Sequence, residues 1–124
     1  MLAFTDPREA YRRIEIDARV EGGADPADLV HLCYEQVIGG LGLAIIADER
    51  KDPAARSKAL TRALSAITAL DMGVDRSASL AAALLRLYGS ARRAILDSVV
   101  SFDGELLGRV RQDFVDIARA LESA

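Results

Sequence analysis

The sequence predicts an all-α fold: an antiparallel up-and-down four-helix bundle, preceded by an N-terminal arm or short extra helix. Three observations carry this. The 124 residues include 22 Ala and 16 Leu against three Pro and nine Gly, and Ala and Leu lose little conformational freedom in a helix. Helix start signals recur along the chain. Between them, apolar residues step by three and four, the spacing of one buried helical stripe.

Residues 1–24 read as the arm. Asp6-Pro7-Arg8-Glu9 has the form of a short helix start. Ile14-Glu15-Ile16-Asp17-Ala18-Arg19-Val20 alternates strictly, which suits extended chain. Gly22-Gly23 then forms a flexible joint.

Residues 25–124 read as the bundle. A first helix over 26–47 opens at Asp25-Pro26, and a second over 53–72 opens at Asp52-Pro53. In each, the Asp oxygen accepts from a free first-turn N–H, and Pro has no N–H to leave unsatisfied. Gly73 is placed to end the second helix. A third, over 77–101, takes Ser77 as its N-cap. A fourth, over 104–122, follows Asp103, with Phe102 placed to pack on Leu107 as a hydrophobic staple. At about 1.5 Å per residue each runs to roughly 30–37 Å. Connections of about five residues or fewer make consecutive helices antiparallel neighbours.

The buried stripes expected are Leu60, Leu64, Ile67 and Leu70 on the second helix, and Leu80, Leu84, Leu87, Ala91, Ile95 and Val99 on the third. On the fourth they are Leu107, Val110, Phe114, Ile117 and Leu121. The first helix differs. Leu29, Cys33, Val37, Leu41 and Ala44 form one stripe, and Val30, Tyr34, Ile38 and Ile45 a second beside it, with Leu32, Leu43 and Ile46 beyond. At about 100° per residue the two merge into an arc wider than half the helix. Either an extra segment or a partner covers it. Gly39, Gly40 and Gly42 lie in the same helix, each at a cost of about 1 kcal/mol relative to Ala. Close approach of a neighbouring helix explains them, as does a helix that must admit another backbone.

Composition excludes several classes. One Cys forms no internal disulfide, and the N-terminus lacks the pattern of a secretory leader. No uncharged apolar run reaches about 18 residues, so no membrane-spanning helix is expected. The net charge of -3 is spread evenly, which argues against nucleic-acid binding. A soluble, intracellular chain is the expectation. His31 is the only His, and Cys33 does not share its face. Asp28 and Glu35 flank His31, but a bundle metal site draws ligands from several helices, so neither metal nor cofactor is expected. Arg92-Arg93 and Arg109-x-Arg111 read as solvated faces. A binding module is favoured over an enzyme, using apolar anchors in a groove.

The stretch Asp25-Pro26-Ala27-Asp28-Leu29-Val30-His31-Leu32-Cys33-Tyr34-Glu35 resembles the Pro-x-x-Leu-Ile-x-x-Leu-Tyr-Asp opening of the FliS family, flagellin-specific export chaperones. Leu80 to Tyr88, with Arg93 and Ile95, is similar to that family's Leu-x-x-Leu-Tyr-x-Tyr-x-x-x-Arg-x-Leu helix. Tyr11 is placed like its early Tyr, and the resemblance spans residues 8–122. Departures are Ser90 for the second Tyr, Ser98-Val99 for Ala-Asn, the three glycines, and Leu121 near the position of a common C-terminal Trp.

The resemblance implies a cytoplasmic chaperone that holds the C-terminal segment of flagellin in apolar grooves. It implies that this blocks premature polymerisation and aids delivery to the flagellar export gate. By the family pattern, Tyr11 and its neighbours cover a groove when no client is present. The contact residues expected are Tyr11 and Ile14 in the arm, Val30, Tyr34, Ile38, Leu41 and Ile45 on the outer stripe of the first helix, and Leu84, Leu87 and Tyr88. The alternatives are a structural or regulatory bundle that buries the same stripe in a homodimer, and a small enzyme or metal carrier.

Overall fold

The structure, a computed structural model, describes residues 26–122. Among them are four helices and no strand: α1 (Pro26–Glu49), α2 (Pro53–Gly73), α3 (Ala81–Val100) and α4 (Gly104–Glu122). The expected arm, with Tyr11 and Ile14, lies outside the described residues. Consecutive helices pack side by side and α4 returns to α1, which closes a four-helix bundle. The α3–α4 seam is the loosest of the four.

Local chemistry accounts for most of the boundaries. The Asp52 carboxylate accepts from the Ala55 N–H at 3.1 Å, and Asp103 does the same for Leu106 at 3.0 Å. Both use a side-chain oxygen to satisfy a donor that the first helical turn leaves free. Phe102 is half-buried against the core that holds Leu107, and the Arg56 guanidinium lies 5.4 Å from its ring centre. Helix α1 runs two residues beyond its expected end and stops in a tight turn. Lys51 is left-handed at φ 56, its N–H bonds Asp48 O at 3.0 Å, and the Asp52 N–H bonds Ala47 O at 2.9 Å. That bond pair is the Schellman arrangement. Asp52 thus closes α1 and caps α2.

The third helix starts later than expected, at Ala81 instead of 77. Ser77 does not cap it. Its N–H and hydroxyl both donate to the Asp75 carboxylate, at 3.0 and 2.6 Å, and residues 76–80 form turns and a bend. The N-cap position falls to Leu80, which makes no side-chain capping bond. The buried stripe moves accordingly to Ala81, Tyr88, Ala91, Ala94, Ile95 and Ser98. Leu80 and Val99, expected inside, are exposed, as is Leu121 on α4.

On α1 the first stripe, Leu29, Cys33, Val37, Leu41 and Ala44, is core, and so is Tyr34. Because α1 packs on both α2 and α4, most of the wide arc finds cover. Ile38 and Ile45 are half-buried, while Val30, Leu43 and Ile46 stay exposed. The expectation of no membrane-length helix is corrected. Ala27–Glu49 is long and apolar enough to cross a membrane by length and composition, because its acids, Asp28, Glu35, Asp48 and Glu49, leave residues 36–47 uncharged. In the bundle one side of that stretch, with Val37, Leu41 and Ala44, is buried, while Leu43 and Ile46 stay exposed.

The glycines resolve towards close approach. A Cβ on Gly40 would lie 2.9 Å from Ala59 O on α2, inside any normal contact. Gly39 and Gly42 seat the guanidinium groups of Arg62 and Arg111. Arg62 Nε donates to Gln36 Oε1, and Arg111 Nε donates to the Ile38 carbonyl at 3.2 Å. Two arginines from flanking helices thus reach across to α1.

Candidate functional site: an apolar groove at one end of the bundle

The beginnings of α1 and α3 and the ends of α2 and α4 meet at one end of the bundle. Because α3 and α4 pack loosely, these ends enclose an open groove of about 610 Å³, a size typical of small binding sites. Its walls are apolar. They come from Leu29 and Val30 on α1, Leu70 on α2, Leu80 and Leu84 at the start of α3, and Ile117 and Leu121 on α4. Leu80 is 64% exposed and Leu121 51%. Such a strip of exposed large apolar side chains is the signature of a surface that is covered in use.

The inner face of the groove carries Tyr34, Tyr88 and Cys33. The two tyrosine hydroxyls bond each other at 2.8 Å. Both rings also pack on buried Phe114, with centroids 5.3 and 6.1 Å away. This aromatic trio ties α1, α3 and α4 together just beneath the opening. Burial holds the Tyr34 hydroxyl above its ordinary range. Burial, and then the bond to Tyr34, push that of Tyr88 well above it. Burial raises the Cys33 thiol to about 12. At neutral pH all three are uncharged. Among the described residues, the one charged side chain that lines the groove is Asp75, on its rim. The Ser77 hydroxyl and N–H that bond the Asp75 carboxylate hold it below its ordinary range. This arrangement excludes water from apolar ligand surface, and the polar groups on its inner face are neutral.

Of the residues expected at the site, Val30, Tyr34, Leu84 and Tyr88 line this groove. Ile38, Ile45 and Leu87 are half-buried against the core and line no part of it. Leu41 is fully buried, not on an outer stripe, because its face of α1 is the one turned to the core. Sequence reasoning assigned Leu80, Ile117 and Leu121 to the core, yet all three line the groove. The signal lay in their positions: each is at or near a helix end, where neighbours cover a stripe least. His31 sits on the exposed side of α1 with Nε2 3.0 Å from Glu35 Oε1. Among the described residues, no three of His, Cys, Asp or Glu come together.

Comparison with curated proteins gives no match for this chain. In the comparison with protein families, the model described as flagellar protein FliS matches residues 7–124, nearly the whole chain.

Proposed function

The chain belongs to the FliS family of flagellar export chaperones, and from that premise we propose that its groove receives the C-terminal segment of flagellin. The observation that supports this most is the apolar groove itself, with Val30, Leu80 and Leu121 exposed along it. A client segment that is disordered when free gains affinity by burying apolar anchors there, less the cost of ordering it. While those anchors are buried they are withheld from other flagellin subunits, which blocks premature polymerisation. The complex then delivers the subunit to the export gate in the cytoplasm. In this reading residues 1–24, with Tyr11 and Ile14, contact or cover the groove. Tyr11 suits that role because it joins an apolar ring to a polar tip.

Calorimetric titration of the full chain with a flagellin C-terminal peptide tests the reading. Val30→Asp places a charge against the buried client, and is expected to weaken binding by at least about tenfold. Val30 is exposed in the free chain, so the melting temperature stays close to that of the parent. Tyr11→Ala is expected to weaken binding without unfolding the bundle. No heat of binding at high micromolar peptide would overturn the client assignment. Unchanged affinity in Val30→Asp would move the client to another surface.

A further inference from the structure

A second, shallower depression of about 460 Å³ lies between the end of α1 and the beginning of α2. Along α1 it is about 24 Å from Val30, counting 16 residues from Val30 to Ile46. Leu43 and Ile46 line it from α1, Arg50 from the turn that follows, and Lys58 and Arg62 from α2, with alanines between them. Leu43 and Ile46 share a face of α1 at i and i+3, the Arg50 N–H bonds Ile46 O at 3.0 Å and so extends that face by one residue, and Lys58 and Arg62 share a face of α2 at i and i+4. Leu43 is 51% exposed and Ile46 43%. The result is an apolar trough with cations on both lips.

Its charge is opposite to that of the whole chain. Among the described residues that line it, three cations face one carboxylate, Asp52, in a protein of net charge -3. One Asp52 oxygen is engaged by the Ala55 N–H. Arg62 is held by Gln36 through Nε, which leaves its outer nitrogens to other partners. Among the described residues, Arg50 and Lys58 have no ion-pair partner. Among the described residues, the first groove offers one charge, an aspartate. The two surfaces therefore select different ligands.

We propose that this trough docks an acidic amphipathic helix of a second protein, distinct from the client in the first groove. From Leu43 to Arg50 the trough runs for about two helical turns, roughly 10 Å. A helix seated there sets two apolar side chains against Leu43 and Ile46, and its Asp or Glu side chains meet Arg50, Lys58 and Arg62. This surface depends on no residue of the groove beneath α3, so the assignment stands apart from the flagellin reading.

The test uses the full chain and two labelled synthetic amphipathic helices, one leucine/glutamate and one leucine/lysine, read by fluorescence anisotropy. The glutamate helix binds, the lysine helix does not, and added salt weakens the binding. Arg50→Glu combined with Lys58→Glu reduces affinity at least about tenfold, and Arg50→Gln with Lys58→Gln reduces it less. Both side chains are exposed, and circular dichroism confirms that the variants keep their helices. The flagellin peptide binds these variants as it binds the parent, and Val30→Asp leaves the glutamate helix unaffected. Equal binding of the two helices, or indifference to charge reversal, overturns the proposal. So does displacement of the glutamate helix by the flagellin peptide, which would place both in one groove. Salt-sensitive dimerisation that charge reversal abolishes overturns it too, because a second copy would then be the occupant.

Discussion

At the scale of single residues, Tyr34 and Tyr88 show how much depends on one bond. Both are nearly fully buried, and each hydroxyl is the other's partner. Tyr34→Phe strands the hydroxyl of Tyr88, at a cost of about 1–3 kcal/mol. The double Phe variant removes both polar groups and is expected to recover part of that loss, which thermal melts of the three variants measure. Glycines separate in the same way. Gly40→Ala drives a methyl into the Ala59 carbonyl and should destabilise by about 1–3 kcal/mol despite better helix propensity. Gly89→Ala meets nothing within 4 Å and should stabilise by about 0.4–1 kcal/mol. Residue types alone made the glycine stretch legible as an anomaly, but not its division of labour. That depends on Ala59, Arg62 and Arg111, which are distant in sequence. Tyr34 and Leu41 were equally ambiguous, since a helical wheel shows that two stripes exist and not which one the bundle encloses.

At the scale of elements, the legible boundaries were those set by chemistry within a few residues. Asp52 and Asp103 cap because their carboxylates reach the next turn. The start of α3 was illegible because Asp75 competes for Ser77, and a short-range rule does not weigh two acceptors. The turn after α1 yields a direct prediction. Lys51 occupies a left-handed position that its Cβ disfavours, so Lys51→Gly is expected to raise stability by about 1 kcal/mol in chemical denaturation. Helix α3 begins without a side-chain cap and supplies Leu80 and Leu84 to the groove. Its first turn is expected to exchange amide hydrogens faster than the capped amides of Ala55 and Leu106.

At the scale of the molecule, buried titratable groups set the response to alkali. Folded Cys33 keeps its proton to about pH 12, against an ordinary value of 9.0, and both buried tyrosines are held above 10.0. Above pH 9 the unfolded chain therefore binds fewer protons than the folded one, so stability falls as pH rises. The slope approaches about 1.4 kcal/mol per pH unit for each group once it is engaged. Below that range these groups add no slope. Thermal melts should be level with respect to these groups near neutrality and decline beyond pH 9, less steeply in Cys33→Ala. The four-helix topology was readable from spacing and short connections. The groove was not, because it arises where α3 and α4 fail to close, and no single helix records that gap.

The aromatic trio has a practical consequence. The chain has three tyrosines and no tryptophan, and two of those tyrosines line the groove. The protein therefore carries its own optical reporter. With a partner free of aromatic residues, any change in near-ultraviolet circular dichroism comes from its own Tyr or Phe rings. In Tyr11→Phe the tyrosine part of that change comes from Tyr34 and Tyr88 alone. A ligand entering between α3 and α4 should alter that signal, while one seated at Leu43 and Ile46 should leave it dark.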